Sequence, residues 1–316
     1  MKTIKFAALA ATAAATALVL SACGGQSTES TGDTLSGAVV IDGSSTVAPL
    51  TEAAADLYRD VEAGVNVTVA TSGTGGGFEK FCAGETDISN ASRPIKDEEA
   101  ALCAENGVEF TELVVANDGL AVVVPVDNDF VQCLTVEQLA TVWGPAAEGT
   151  ITSWNQVDPS FPDVELALFG PGTDSGTFDY FTDEINGEEG AIRTDYSPSE
   201  DDNVLVQGIA GADGGLGFFG LSYVTENADL VRAVDVDGGQ GCTAASESTV
   251  QDGSYTPLGR PLYVYVSNGS YTDKPQVKSF VDFYIENQAD IASLAIFIGL
   301  TEEQVAIATE ELASLG

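Results

Sequence analysis

The sequence predicts an α/β protein built as two lobes, and three observations lead to this prediction. Short apolar strands alternate with amphipathic helices along most of the chain. The length of 316 residues exceeds what one small core requires. Apolar residues make up 44% of the chain and charged residues 19%, which is typical of a folded protein rather than a disordered one.

The individual elements follow from hydrophobic periodicity, taken in chain order. Alternating or continuous apolar runs predict strands at 38–41, 65–70, 108–116, 120–126, 165–169, 216–219 and 261–267. Apolar residues three or four positions apart predict helices at 47–57, from Phe78 onward, at 136–143, 178–185, 203–210 and 277–288.

We expect the chain to cross between two lobes twice. Residues 38–116 and 256–316 are predicted to form lobe 1, and residues 117–255 to form lobe 2. A polar break at 117–119 separates two predicted strands, and the return crossing is placed near 255–261. Two crossings make a hinge, and the cleft between two lobes is a natural ligand site.

The first 22 residues have the features of a signal peptide. Lys2 and Lys5 precede an apolar stretch from Phe6 to Leu20, and small residues then lead to Cys23. The ending L-S-A-C resembles a bacterial lipobox, which implies cleavage before Cys23 and lipidation of its thiol. A transmembrane anchor is the alternative, but the apolar stretch is short and rich in Ala and Thr.

The residues that follow the cleavage position are rich in Gly, Ser and Thr. This composition predicts that residues 23–37 form a flexible, lipid-anchored tether. The tether would hold the protein on the outer face of the cytoplasmic membrane, with the lipid as its only attachment.

The charge balance is strongly acidic, with 49 acidic and 11 basic side chains and a formal net charge of −38. Nucleic acid is excluded as a partner, because phosphate backbones require a basic footprint. A high negative charge is most simply a solubility adaptation. A bound anion would therefore be held by short-range hydrogen bonds in a sheltered cleft rather than by long-range attraction.

The chain contains no histidine. This absence removes Ser-His-Asp and Cys-His catalysis, histidine metal ligands and the usual pH switch. We therefore expect a binding protein rather than an enzyme, with no cofactor and no metal.

Four cysteines follow Cys23, and an even number outside the cytoplasm favours two disulfides. Of the three pairings, we favour Cys82 with Cys103, which closes a short loop, and Cys133 with Cys242, which closes a long one. Four free thiols are the alternative. A metal site is disfavoured because no C-x-x-C pair occurs.

Two hydroxyl-rich segments each lie between a predicted strand and a predicted helix. They are Gly43-Ser44-Ser45-Thr46 and Gly172-Thr173-Asp174-Ser175-Gly176-Thr177. Hydroxyl residues there are often ordinary helix N-caps. They also form anion seats, since free amides at a helix N-terminus favour negative charge.

Two further segments add polar groups to the predicted cleft. Thr71 to Gly77 contains three consecutive glycines, which indicate either a flexible turn or a close backbone approach. Asn90-Ala91-Ser92-Arg93-Pro94 carries a guanidinium, whose planar fork suits an oxyanion, although a surface ion pair is the plainer interpretation. The run Gly215 to Gly220 matches G-x-G-x-x-G, but it lies inside a predicted strand and is interpreted as core packing.

These segments together resemble the phosphate-binding proteins of bacterial phosphate ABC importers. The resemblance covers nearly all of the chain after the tether and rests on G-S-S-T-V-A-P, S-G-T-G-G-G-F, D-I-S-N-A-S-R and T-D-S-G-T-F. It implies a two-lobed type 2 periplasmic-binding-protein fold, a phosphate ligand, a membrane permease as partner and a monomeric protein. The resemblance implies phosphate binding by Ser45 and Thr46, by Thr74 or Ser72, and by Ser175, Gly176 and Thr177. We add Ser92, Arg93 and Asp174 as further candidate phosphate-binding residues, because they lie in or beside the same segments.

The chain departs from the best-studied branch of that family at two positions. Pro171 stands where that branch has an arginine, and Ser92 stands where it has an aspartate. Our hypotheses are that Arg93 replaces the arginine from the other lobe and that Asp174 or another carboxylate replaces the aspartate.

Three other functions remain open at this point. The first is a binding protein for another oxyanion, such as sulfate or molybdate. The second is an extracytoplasmic hydrolase, which would need a lysine to activate a serine in a chain without histidine. The third is a structural surface protein without a ligand.

Overall fold

The computed structural model describes residues 35–173 and 175–315. The predicted signal peptide, the lipidation at Cys23, most of the predicted tether and Asp174 lie outside the described residues. None of the helices in the described part of the chain is long and apolar enough to cross a membrane.

Strands and helices alternate for most of the chain, as an α/β protein requires. The strands are β1 (Gly37–Gly43), β2 (Val65–Val69), β3 (Ile88–Ala91), β4 (Phe110–Pro125), β5 (Cys133–Thr135), β6 (Ala167–Gly170), β7 (Ser197–Pro198), β8 (Gly215–Gly220), β9 (Val231–Asp237), β10 (Cys242–Thr243) and β11 (Gly259–Ser267). The helices are α1 (Ala48–Arg59), α2 (Gly73–Cys82), α3 (Asp97–Glu105), α4 (Val136–Trp143), α5 (Trp154–Val157), α6 (Gly176–Asn186), α7 (Asp202–Ala210), α8 (Leu221–Glu226), α9 (Glu247–Gln251), α10 (Asn268–Asp273), α11 (Pro275–Glu286), α12 (Gln288–Leu294) and α13 (Glu302–Leu315).

Strand β4 is the element that joins the two halves of the sheet. Its first part pairs with β11, and its second part pairs with β8 and β9. On one side the strand order continues through β11, β3, β1 and β2, and on the other through β8, β6 and β7. The result is one mixed sheet that continues through both halves of the molecule.

The prediction of a break at 117–119 is wrong, because β4 runs through these residues without interruption. Asn117, Asp118 and Gly119 pair with Pro261, Arg260 and Gly259 of β11. The polar side chains are satisfied inside the protein. Asn117 donates to the Gly299 carbonyl at 3.1 Å, and Asp118 pairs with Arg260. Buried polar groups with partners do not require a turn.

Apolar side chains form separate clusters on the two sides of this junction. One cluster contains residues of β1, α1, the first part of β4, β11 and the C-terminal helices. A small cluster beside it includes Phe78, Phe81 and Tyr265. The largest cluster contains the end of β4 together with residues of α4, α6, α7 and β8. The G-x-G-x-x-G run belongs to this cluster, since Leu216, Phe218 and Phe219 are fully buried in β8.

Both favoured disulfides are present in the structure. Cys82 is bonded to Cys103, which ties α2 to α3, and Cys133 is bonded to Cys242, which ties β5 to β10. Among the described residues, no group of three or more cysteine, aspartate or glutamate side chains is arranged to hold a metal ion.

Candidate functional site

A cavity of about 610 Å³ opens where the two halves of the molecule meet, and we call it the cleft. Residues from all four predicted polar segments line it: Ser45, Thr46, Ser72, Thr74, Ser92, Arg93 and Gly176. Ser175 and Thr177 flank Gly176 but are not among the residues that line the cleft. The Ser175 hydroxyl accepts a hydrogen bond from the Thr177 amide at 3.2 Å, which is the ordinary N-cap interaction.

The first and fourth polar segments meet directly across the cleft. A β-carbon added at Gly176 would lie 2.2 Å from Thr46 Oγ1 and 3.2 Å from the Thr46 amide nitrogen. No side chain fits in that space, so glycine permits this contact. The N-terminus of α6 therefore faces the turn that precedes α1, and the two positive helix ends point toward the same space.

The second and third polar segments are joined by their hydroxyl groups. The Thr74 hydroxyl accepts a hydrogen bond from the Ser92 amide at 3.2 Å, and its oxygen lies 3.0 Å from Ser92 Oγ. The two hydroxyls carry two protons and share one hydrogen bond between them. One hydroxyl proton is therefore available to donate to a ligand in the cleft.

Ser72 has a different role from Thr74, because its polar groups are already bonded to the nearly buried Asp42. The Ser72 amide and hydroxyl both donate to Asp42 Oδ1, at 3.0 and 2.8 Å. Lys80 pairs with the other carboxylate oxygen. Burial raises the pKa of Asp42, but the hydrogen bonds from Lys80, Ser72 and Gly43 outweigh it and hold the pKa below its usual value. The ionised carboxylate thus fixes the glycine-rich segment to the end of β1.

The glycine-rich segment is helical rather than a turn, since α2 begins at Gly73 instead of near Phe78. A β-carbon added at Gly77 would lie 2.5 Å from Gly43 Cα. The predicted close backbone approach therefore occurs at this glycine, where α2 crosses the end of β1. Tertiary packing outweighs the low helix propensity of glycine here.

Arg93 lines the cleft, but a carboxylate already binds its guanidinium. Its Nη1 and Nη2 each lie 2.8 Å from a Glu99 oxygen, and Nη1 also donates to the Pro94 carbonyl at 3.1 Å. The hydrogen bonds and charge of Glu99 raise the pKa of Arg93 above its usual value. The bidentate pair neutralises the charge that the sequence had suggested for an oxyanion.

Arg260 is a cleft residue that the sequence analysis did not select. It lies at the start of β11, directly opposite Asp118 of β4. Its guanidinium donates to the Ser92 carbonyl at 3.2 Å and lies 3.5 Å from Thr46 Oγ1. The carbon at its centre lies 3.6 Å from the centroid of the Tyr180 ring on α6. The signal in the sequence was its position within the predicted return crossing at 255–261.

The wall of the cleft on the α6 side is acidic. Asp179, Asp183, Glu184 and Glu189 face three cations, which are Arg93, Lys96 and Arg260. Burial raises the pKa of Asp179, the charge of Glu189 raises it further, and Arg260 opposes both without cancelling them. Burial and the charge of Asp183 raise the pKa of Glu184 in the same way. The side chains that line the cleft therefore carry no excess of positive charge, and an anion there needs directed hydrogen bonds as well.

Most of the chain is similar in sequence to known proteins. A family model described as the PBP superfamily domain matches residues 28–288. The chain is 47% identical to a protein named SphX from a Synechocystis species, over 84% of this chain and 79% of that protein. It is 38% identical to the phosphate-binding protein PstS of Staphylococcus saprophyticus, over 92% of this chain and 89% of that protein.

A solved structure resembles the whole described fold. It is the crystal structure of "a possible phosphate binding protein" from Planctomyces limnophilus, with a TM-score of 0.84 and 39% sequence identity. The match covers 89% of this chain and 99% of that one.

Proposed function

Because the chain belongs to the PBP superfamily and, within it, to the family of phosphate-binding proteins that includes PstS, we propose that it binds inorganic phosphate. We propose further that it does so outside the cytoplasmic membrane and delivers the ion to the permease of an ABC importer. The observation that carries the proposal is the contact of Thr46 with Gly176 in the cleft. It brings amide and hydroxyl donors from opposite halves of the molecule to one point.

The phosphate oxygens are proposed to take their hydrogen bonds from three places. Ser45 and Thr46 offer amides and hydroxyls ahead of α1. Thr74 offers the amide of the first turn of α2 and shares one free hydroxyl proton with Ser92. The segment from Ser175 to Thr177 offers the N-terminus of α6. Each group is a neutral donor, which suits an anion inside a strongly acidic protein, because such hydrogen bonds act only at short range.

Ser72 and Arg93 are assigned supporting positions in this proposal. The Ser72 hydroxyl donates to Asp42 and so orients the first turn of α2. Arg93 stands beside the same turn, since a β-carbon at Gly75 would lie 3.9 Å from its Nη2 atom. Its pair with Glu99 forms part of the wall of the cleft.

Binding would couple to movement of the two halves. A ligand that accepts hydrogen bonds from both sides stabilises the closed form and shifts the population toward it. The closed form would then dock on the permease as a monomer. The lipid on Cys23 would keep the protein at the outer face of the membrane, and the acidic surface would leave it soluble there.

Isothermal titration calorimetry of the purified protein with phosphate and with sulfate tests the proposal. We expect saturable binding of phosphate, and a preference for phosphate over sulfate of at least about tenfold. Equal affinities would favour a general oxyanion-binding protein. The absence of heat and of any thermal shift with phosphate would contradict the function itself.

A further inference from the structure

The guanidinium of Arg260 contacts both halves of the molecule inside the cleft. Its guanidinium bonds to Ser92 and approaches Thr46 on one side. On the other side its central carbon lies over the ring of Tyr180, a residue of α6. The strand that carries it, β11, adjoins the long strand β4, which joins the two halves.

We propose that Arg260 supplies the positive charge to the bound oxyanion, that Asp118 holds it in place, and that Arg93 does not serve this role. This inference rests on the proposed function, because it assigns a residue to the same cleft. Arg260 belongs to none of the four polar segments. It also does not occupy position 171, where the best-studied branch of the family has its arginine.

The first reason is the number and length of the hydrogen bonds that each arginine already makes. Arg93 makes two bonds of 2.8 Å to both oxygens of Glu99, the geometry of a fully formed bidentate pair. Arg260 makes two bonds of 3.3 Å to a single oxygen of Asp118. Its approach to Thr46 is 3.5 Å long. An oxyanion offers Arg260 shorter bonds than those it now has.

The second reason is the donor that remains. A guanidinium has five N–H groups. Within the described residues, Nη1 of Arg260 donates only to the Ser92 carbonyl, so one of its two hydrogens has no protein acceptor. Two of the acceptors that the guanidinium does have, the Ser92 carbonyl and Thr46 Oγ1, belong to residues that line the cleft. The unused hydrogen is therefore available where the proposed ligand binds.

The third reason is the exclusion of water. The side chain of Arg260 is 12% exposed and that of Arg93 is 33% exposed. A charge acts more strongly on an anion where less water screens it. The Tyr180 ring, whose centroid lies 3.6 Å from the central carbon of the Arg260 guanidinium, also keeps water from this charge.

Asp118 acts on the ligand only through Arg260. It does not line the cleft, and its side chain is 13% exposed. The two residues are opposite each other in the β4–β11 pair, so the backbone fixes the separation of their side chains. Asp118 is therefore a positioning residue, and removing it matters only while Arg260 is present.

The experiment measures phosphate affinity by calorimetry for wild type, Arg260→Gln, Arg260→Lys and Arg93→Gln, which tests the competing arginine of the cleft. Loss of a desolvated charge partner lowers affinity by roughly 100-fold, which is expected for Arg260→Gln. Arg260→Lys keeps the charge but loses the planar fork, and we expect a loss of about tenfold. Arg93→Gln is expected to stay within about fivefold of wild type, because Glu99 already neutralises Arg93.

A double-mutant cycle tests the role of Asp118. Asp118→Asn should weaken binding about tenfold in the wild-type background and less than about twofold in the Arg260→Gln background. An equal loss in both backgrounds would show a general structural effect and overturn the positioning role. Thermal unfolding checks the fold of each variant, and if Arg260→Gln lacks a cooperative transition, the comparison of Arg260→Lys with wild type decides.

The outcomes separate this inference from the proposed function. Wild-type protein that binds no phosphate contradicts the function. Wild-type binding with an undiminished affinity in Arg260→Gln or Arg260→Lys overturns only the role of Arg260. A larger loss in Arg93→Gln than in Arg260→Gln returns the charge to Arg93.

Discussion

Gly176 lies against Thr46 so closely that a single methyl group at residue 176 would overlap the threonine hydroxyl, with 2.2 Å between the added carbon and Oγ1. Gly176 begins α6, and Thr46 precedes α1 on the opposite side of the cleft. The contact between these two residues closes the space in which the proposed ligand binds.

Gly176→Ala is expected to hold the two sides of the cleft apart. Phosphate affinity should fall by at least about tenfold, which corresponds to about 1.4 kcal/mol of binding free energy. The measurement is calorimetry, with circular dichroism as the check on folding. Gly269→Ala is the matched control, because a β-carbon there meets no atom closer than 3.9 Å. Wild-type affinity in Gly176→Ala would contradict the importance of the contact.

Asp42→Asn should lower the free energy of unfolding at pH 7 by about 2 kcal/mol. The reason is that Lys80, Ser72 and Gly43 all donate to the buried, charged carboxylate that this substitution removes. The pKa of Asp42 is lowered in the folded protein. Its contribution is therefore present above the unfolded pKa near 3.8 and is lost as pH falls through the lower folded value.

Urea titrations of Asp42→Asn at several pH values check this prediction. The gap between wild type and variant should be full at pH 7 and should narrow in strong acid. The exposed pair of Asp56 and Arg59 provides the control. Asp56→Asn should change stability by less than about 0.5 kcal/mol. A pH-independent gap for Asp42→Asn would refute the electrostatic cause.

Asp202→Asn should have the opposite effect on stability. Burial, with the charges of Asp201 and Glu200, raises the pKa of Asp202 from 3.8 to about 6. The ionised form is disfavoured in the folded protein, so stability falls as pH rises from the unfolded to the folded value. The variant should be more stable than wild type at pH 7.5 by about 1–3 kcal/mol.

Thermal unfolding at pH 4 and pH 7.5 measures the effect of Asp202→Asn. The gain should be present at the higher pH and nearly absent at the lower one. The exposed Asp229→Asn serves as the control for a general reduction of negative charge. An equal gain in both variants would attribute the effect to net charge rather than to Asp202.

The two disulfides should stabilise the protein to different extents. The bonds close loops with sequence separations of 21 and 109 residues. The chain-entropy estimate is about 3 kcal/mol for the Cys82–Cys103 bond and about 5 kcal/mol for the Cys133–Cys242 bond. Paired Cys→Ala variants compared by guanidinium denaturation measure both values. A larger loss for the shorter loop would contradict this order.

How far the sequence predicted the site depends on how local each signal was. The strand before Ser45, the helix after Thr177 and the hydroxyl-rich turns follow from periodicity and capping patterns within about ten residues. Those patterns predicted hydrogen-bond donors at 45–46, 72–74 and 175–177, and the structure brings Ser45, Thr46, Ser72, Thr74 and Gly176 to the cleft. Asp118 lies in a run of three residues, Asn-Asp-Gly, that is typical of a loop. The sequence does not show that Arg260 lies opposite Asp118, so its role as an ion-pair partner could not be predicted.

By itself, the sequence determined the α/β class, the order of most strands and helices, and the polar turns that precede the helices, because each of these depends on neighbours in the chain. Only the tertiary structure decided which partners the arginines of the cleft bind. Glu99 forms a bidentate ion pair with Arg93. The pairing of β11 with β4 brings Arg260 to Ser92, which is 168 residues away in the chain. Contacts across such a distance are set by strand pairing and packing, which local propensity does not encode.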